Sequence, residues 1–305
     1  NNSPASLVGE RRRGLIKYTM WLMNSARLGI AAQALGIAEA AWREASKYAN
    51  ERVQFGTAIK NFPPVFEMLT EGRVAIEAGR SLLYETARFV DLKEGLEHAS
   101  EAHPERSSEI KAELKKYTRL ASLFTPLVKA YNTEMANRVC DNAIQVHGGT
   151  GYMKDFSVER HYRDARITNI YEGTTQLQVV AAIGGITSGV ATEIFDDYDR
   201  EDYSHAVELF QRVKRIRNML EKAIVHLKGL ENEEAIAYHA RRLVEMSTAV
   251  IQGYLLLRDA AHAERKMHVA RLFIDRAAAN VEMNLNFILN AEQALVRHHT
   301  VIIEV

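Results

Sequence analysis

A single carboxylate stands in the stretch RITNIYEGTTQLQ: Glu172, between Tyr171 and Gly173, with no basic residue beside it. A glutamate before glycine in a loop is ordinarily an exposed surface acid. An acid beside a tyrosine at the start of a helix can instead lie in a pocket, where it becomes a usable proton acceptor. Two other stretches carry chemistry. In RVQFG, Arg52, Phe55 and Gly56 read either as a helix C-terminus with a left-handed glycine cap, or as an arginine aimed at a phosphate with Phe55 as an apolar wall. In QVHGGTGY, Gln145, His147, Gly148, Gly149 and Gly151 read as a helix ending in glycine, or as backbone that lets a ligand approach closely. The glycine spacing is not GxGxxG after a strand, so a Rossmann site is not expected. VERHYRDAR reads as a solvated face rich in ion pairs. His161 has no second ligand at i+4, and the pair His298–His299 has no carboxylate or cysteine in helical register, so no metal site is expected.

These residues need elements to position them, and the elements read as helices. The chain has 305 residues, only five of them proline, and is rich in Ala, Leu, Glu and Arg. A long helix is expected from about Arg12 to Tyr48, with Leu28, Ala31, Ala32, Leu35, Ala38 and Trp42 on one face. A second should run from about Pro64 to Leu92, followed by an exposed connection through KEGLEHASEAHPERSSE. A third is expected from about Ser108 to Val146, capped by Ser107 or Ser108, with Pro126 kinking or splitting it. After a loop holding one or two helical turns, a fourth starts at YEGTT with Thr174 or Thr175 as its N-cap and ends around AAIGGITSG. The acidic stretch FDDYDREDYSH marks a boundary. Beyond it, three amphipathic helices are expected over about 204–230, 232–264 and 266–296, the second capped by Asn232. The fold class is therefore all-α: an up-down four-helix bundle followed by a smaller helical bundle. The expected units are a short remnant of a preceding β-domain at 1–10, the four-helix domain at 11–195, and an additional bundle at 200–305.

Composition narrows the class. Hydrophobic residues make up 47% and charged residues 26%, a globular balance, and the formal net charge of zero gives no nucleic-acid footprint. One cysteine, Cys140, cannot form an intrachain disulfide, which makes a reducing compartment the default. No apolar run approaches the ~18–20 residues that span a bilayer.

Taken together and in order, SARLGIAAQALGIAEAAWREASKYANERVQFGTAI and QVHGGTGYMKDFSVERHYRDARITNIYEGTTQLQ closely resemble the C-terminal helical domain of the acyl-CoA dehydrogenases, in register over about residues 6–190. The resemblance implies an FAD enzyme that oxidises a fatty acyl-CoA thioester to the trans-2-enoyl-CoA, as in fatty acid β-oxidation, with Glu172 as the base that removes the α-proton. The thioester carbonyl would be polarised by the flavin ribityl hydroxyl and the backbone amide of Glu172. On the cofactor side it implies Arg52 at the FAD diphosphate, Phe55 packed near the cofactor, Gln145, Gly148 and Gly149 toward its ADP half, and Thr174 and Gln176 after the base. On the substrate side it implies Tyr171 and Gly173 lining the acyl pocket, with Arg27, 25 residues before Arg52, supporting it.

Because these contacts cross subunits in the family, the resemblance also implies a homodimer or homotetramer. It further implies an electron-transfer flavoprotein as acceptor, and a location in the bacterial cytoplasm or the mitochondrial matrix. Two features depart from the family pattern. KNFPPV follows FGTAI where a polar residue and Gln are usual, and the N-terminal helical and middle β-domains are missing, LVGE resembling the last strand of the latter. The C-terminal bundle resembles that of very-long-chain-type and some bacterial members. Its mixed charge favours assembly over membrane attachment. The competing expectations are an acyl-CoA oxidase or another flavoprotein of the superfamily, and a non-catalytic helical oligomerisation fragment.

Overall fold

The computed structural model describes residues 3–290 and 294–304. Asn1 and Asn2 of the expected remnant, residues 291–293 of the expected last helix, and Val305 lie outside the described residues. Residues 3–8 form neither strand nor helix, so the expected end of a strand at LVGE is corrected. A π-helical turn, Gly14–Thr19, leads into α1 (Met20–Glu51). The inward stripe of α1 is Ala31, Ala34, Ala38, Ala41, Ala45 and Ala49, each at most 2% exposed. Spacings of three and four residues keep these alanines on one face and let neighbouring helices approach closely. Ala32, expected on that stripe, is exposed.

α2 (Pro63–Ala102) opens on two prolines, which are preorganised for a first helical turn. It runs ten residues past the expected end at Leu92. Lys93–Ala102, expected as a connection, is helix because the stretch holds one weak helix former, Gly95, and gains an i,i+4 ion pair between Lys93 and Glu97 at 3.1 Å. The stop is His103, before Pro104. α3 (Ser107–His147) is unbroken through Pro126. Its neighbours Leu123, Phe124, Leu127 and Val128 are at most 1% exposed, and this packing holds the helix across the missing amide. Neither serine caps α3 by its side chain; the Ser107 hydroxyl lies 3.1 Å from that of Ser100 instead.

Cross-helix contacts fix the directions. Asn132 donates to the Ala31 carbonyl at 3.1 Å and His147 stacks on Tyr48 at 4.3 Å, so α1 and α3 run parallel. Trp42 donates to the Leu69 carbonyl at 2.7 Å while Arg73 and Arg80 reach Glu39 at 2.9 and 2.8 Å, so α2 runs against α1. α6 (Thr175–Thr187) runs against α3, its start near Lys129 and its end near Leu123. The result is the up-down bundle expected.

Between the long helices lie three small elements. β1 (Val53–Gln54) and β2 (Thr57–Ala58) form an antiparallel hairpin. Phe55 and Gly56, with φ +49° and +79°, make its two-residue turn. RVQFG is thus a hairpin rather than a glycine-capped helix end; α1 stops one residue earlier, where the Arg52 amide donates to the Tyr48 carbonyl at 2.8 Å. After α3 come α4 (Gly149–Tyr152) and α5 (Val158–Thr168), together longer than the one or two turns expected.

The second unit comprises α7 (Val190–Tyr198), α8 (Val207–Gly229), α9 (Glu233–Ala260), α10 (Glu264–Asn290) and α11 (Ala294–Ile303). Asn232 caps α9, its side-chain oxygen accepting from the amides of Glu234 and Ala235 at 3.0 and 3.2 Å. The acidic stretch expected as a boundary is partly helix and is tied into the joint. Asp196 and Asp199 hold Arg217 at 2.5 and 2.9 Å, and Tyr254 donates to Asp199 at 2.7 Å. Buried Glu85 on α2 accepts from Tyr198 and pairs with Arg258 of α9, while buried Glu77 pairs with Arg265 and Lys266 of α10. Among the described residues no single helix is long and apolar enough to cross a membrane.

Candidate active site

Glu172 sits on the turn between α5 and α6. The Tyr171 amide donates to the Ile167 carbonyl and the Thr175 amide to the Asn169 carbonyl, both at 3.2 Å, closing the turn. Within it Glu172 has φ +53° and Gly173 φ +90°. The left-handed region is strained for glutamate, by on the order of 1 kcal/mol, and free for glycine. Thr174 then caps α6, its hydroxyl oxygen accepting from the Leu177 amide at 3.5 Å.

Three side chains from three helices converge beneath this turn. Arg27 of α1 points its Nε at the Glu172 carbonyl, 3.5 Å away. Lys129 of α3 donates from Nζ to the Gly173 carbonyl at 2.6 Å. Gln178 of α6 donates from Nε2 to the same carbonyl at 3.0 Å and approaches that of Glu172 at 3.4 Å. Lys129 and Gln178 are fully buried and Arg27 is nearly so. Burial lowers the Arg27 guanidinium below its ordinary value, opposed by Glu172. Burial, joined by the neighbouring Arg27 charge, brings the Lys129 ammonium down to about 8, again opposed by Glu172. Neither cation has a carboxylate at ion-pair distance among the described residues, so Glu172 is the anion whose charge they feel.

On the outer side of the turn, Tyr171 is half-buried and donates to Gln33 of α1 at 2.5 Å. Gln176 is exposed, and so are the apolar Leu177 and Val180. Thus Arg27, Tyr171, Glu172, Gly173, Thr174 and Gln176 are brought to one place.

Arg52, Phe55, Gln145, Gly148 and Gly149 are not. They gather near the far end of α1. Tyr48, one turn before Arg52, stacks on His147 at 4.3 Å and lies 3.4 Å from the Thr150 hydroxyl. Along α1, Arg52 is 25 residues from Arg27, about 37 Å at ~1.5 Å per residue. In this second cluster Arg52 is exposed with no carboxylate partner among the described residues, and Phe55 is 89% exposed at the hairpin tip. Gln145, Gly148 and Gly149 are exposed, and a Cβ at either glycine would meet nothing within 4 Å. Gly148 has φ +63° and ψ −145°, a conformation essentially confined to glycine. His147 is buried, and its Nε2 has no hydrogen-bond partner among the described residues.

Lys129 and Gln178 escaped the sequence reading. The available signal was a lysine inside the apolar run FTPLVKAY, four residues after Thr125, three after Pro126 and seven before Ala136, all buried on α3. Cys140 is buried, and burial pushes its thiol up to about 12, which leaves it inert. Among the described residues no group of three or more His, Cys, Asp or Glu could hold a metal ion.

Comparison with known proteins gives the family of the chain. Residues 13–183 match the acyl-CoA dehydrogenase C-terminal domain family, and residues 187–294 match a second family described as acyl-CoA dehydrogenase C terminal. The chain is 36% identical over 177 residues to the CarC subunit of the caffeyl-CoA reductase–Etf complex of Acetobacterium woodii, covering 58% of this chain and 40% of that protein. It is 35% identical over 181 residues to the short-chain-specific acyl-CoA dehydrogenase of Megasphaera elsdenii, covering 59% and 40%. A crystal structure of Caenorhabditis elegans ACDH-11 in complex with C11-CoA has the same fold, with TM-score 0.70 at 20% identity, over 93% of this chain and 49% of that one. The chain therefore spans about 40% of the length of these curated relatives, and it belongs to the acyl-CoA dehydrogenase family, of which it carries the C-terminal portion.

Proposed function

We propose that the protein is an FAD-dependent acyl-CoA dehydrogenase that desaturates a fatty acyl-CoA between its α and β carbons, with Glu172 removing the α-proton. The observation that carries this reading is the Glu172 turn itself. A turn that carries one acid in a strained backbone conformation is held through its carbonyls by three convergent side chains, and the helix that follows it exposes apolar Leu177 and Val180. Strain of this kind persists where surrounding contacts over-determine it, and it collects at functional sites.

The residues of the second cluster fit an FAD. An unpaired, exposed guanidinium at Arg52 suits a diphosphate, Phe55 offers an apolar face to a ring, and the open backbone at Gly148–Gly149 lets a large ligand lie against the main chain. Bound there, FAD supplies the acceptor for the electron pair leaving the β-carbon. The chain's own residues do the remaining work. Tyr171 and Gly173 border the substrate, the Glu172 amide donates to the thioester carbonyl, and the Glu172 carboxylate takes the α-proton. The buried Arg27 and Lys129 side chains hold the backbone of the turn that carries this carboxylate.

The separation of the two clusters supports a site completed by a second copy of the chain. One turn contributes the base, and the hairpin and glycine pair of the partner contribute cofactor contacts, in a homodimer or homotetramer. An electron-transfer flavoprotein as acceptor is supported by the name of the Acetobacterium relative. That name also favours a second reading in which the same groups run in reverse, Glu172 delivering a proton to an enoyl-CoA. The deciding test is anaerobic titration of the full-length flavoprotein with saturated acyl-CoAs of several lengths, beside Glu172→Gln. Bleaching of the flavin by one length class, lost in the variant, is expected. Bleaching that survives in Glu172→Gln moves the base elsewhere, and a flavin left unbleached by every saturated thioester but reoxidised by enoyl-CoA selects the reverse reaction.

A further inference from the structure

Lys129 is buried without an ion pair. Apart from Arg27, every other buried charge among the described residues meets an opposite charge: Glu77 meets Arg265 and Lys266, Glu85 meets Arg88 and Arg258, and Arg217 meets Asp196, Asp199 and Glu221. Lys129 is fully buried, yet its ammonium has three donors and one hydrogen-bond partner among the described residues, the Gly173 carbonyl at 2.6 Å. That carbonyl is already satisfied by Gln178 at 3.0 Å. A neutral side chain would fill the same space without the penalty of burying a charge. What the ammonium adds at this position is a short, charge-assisted hydrogen bond to the Gly173 carbonyl at 2.6 Å, directly under the turn that carries Glu172.

We propose that Lys129 is a positioning residue for Glu172: seated beneath the turn, its ammonium fixes the Glu172–Gly173 backbone and thereby the place from which the Glu172 side chain reaches the substrate. The inference rests on the reading of Glu172 as the proton acceptor. The charged groups around the ammonium are Arg27 from α1 and Glu172 from the turn; Gln178 from α6 is neutral. The turn thus lies over two buried cations and carries one acid. Burial first, and then the Arg27 charge, lower the proton affinity of Lys129.

Two variants of the full-length holoprotein separate donor from charge. Lys129→Met removes both, and Lys129→Gln keeps a donor without the charge. The first readout is amide hydrogen exchange at Tyr171 and Thr175, whose hydrogen bonds close the turn. Exchange at least about tenfold faster in Lys129→Met, restored toward the parent in Lys129→Gln, is expected. The second is the rate constant of flavin reduction by saturating acyl-CoA at fixed pH. It should fall by at least about tenfold in Lys129→Met and recover toward the parent in Lys129→Gln, with the acyl-CoA dissociation constant little changed in both. Parent-like exchange together with a parent-like reduction rate in Lys129→Met would reduce Lys129 to a buried spacer and overturn the proposal. If Lys129→Met does not fold, Lys129→Leu takes its place, and the same parent-like pair of results overturns it. If the parent's flavin is not reduced by any saturated acyl-CoA, the dehydrogenase reading fails separately. The exchange comparison then judges Lys129 alone: faster exchange supports its hold on the turn, and unchanged exchange removes it.

Discussion

Gln178 and Gly173 are fitted to each other. The Gln178 amide donates to the Gly173 carbonyl at 3.0 Å, and the same nitrogen would stand 2.8 Å from a Cβ placed on residue 173. Gly173 also has φ +90°, which L side chains rarely adopt. Gly173→Ala must therefore move Gln178, bend the turn, or both. We expect a stability loss of about 1–3 kcal/mol by thermal or urea unfolding. Flavin reduction should slow by at least about tenfold, because an acid displaced by a fraction of an ångström loses its alignment with the α-proton. Unchanged reduction kinetics in a stably folded Gly173→Ala would show that the turn tolerates remodelling.

Burial of Lys129 makes a stability prediction independent of activity. Its ordinary value is 10.5 and its folded value about 8, so between these limits the unfolded chain binds a proton that the folded chain does not. Stability contributed by this site therefore rises as pH increases from about 8 to 10.5, by up to about 3 kcal/mol, and the full penalty applies below 8. The difference in unfolding free energy between parent and Lys129→Met should change across that window and be flat below it. A difference that is flat throughout would show that the ammonium is hydrated in solution.

His239 repeats the logic at lower pH in the C-terminal bundle. It is 3% exposed, its Nδ1 has no hydrogen-bond partner among the described residues, and Phe287 packs on it edge-on at 6.0 Å. Burial first, then the charges of Arg242 and His226, brings the imidazole down to about 4 from 6.5. The unfolded chain takes up the proton first, so stability falls as pH drops from 6.5 toward 4, by as much as about 3 kcal/mol. His239→Leu should flatten this part of the acid unfolding curve while preserving the bundle. An acid curve identical to the parent's would assign the loss to other groups.

A two-copy site can be tested by complementation. Arg52→Glu damages the hairpin cluster, and Glu172→Gln damages the turn. Each variant alone should leave flavin unbleached by acyl-CoA. If the two clusters serve one site across an interface, refolding or coexpressing equal amounts gives mixed dimers with one intact and one doubly altered site. About one quarter of the parent's sites should then bleach. No recovery in verified mixed dimers would place both clusters in service of a site within one chain.

Much of this protein was decided locally and could be read from its sequence. The alanine stripe of α1, the caps at Thr174 and Asn232, and the helical class depend on residues within a few positions of one another. Local signals misled where packing outweighed them. Pro126 neither ended nor split α3, because core side chains on both sides of it are buried, and Lys93–Ala102 continued α2 to its proline stop. Glu172 and the residues beside it were likewise legible, since a tyrosine, an acid and a glycine before a capping threonine form one short pattern. The support beneath that turn was not. Lys129 meets Gly173 across 44 positions and Arg27 meets Glu172 across 145, so no local pattern encodes either contact. The sequence by itself determined where the acid lies and which helices surround it. Only the tertiary structure decided that two buried cations and an amide converge under it, because burial and the dielectric that gives those charges their effect arise when the helices pack.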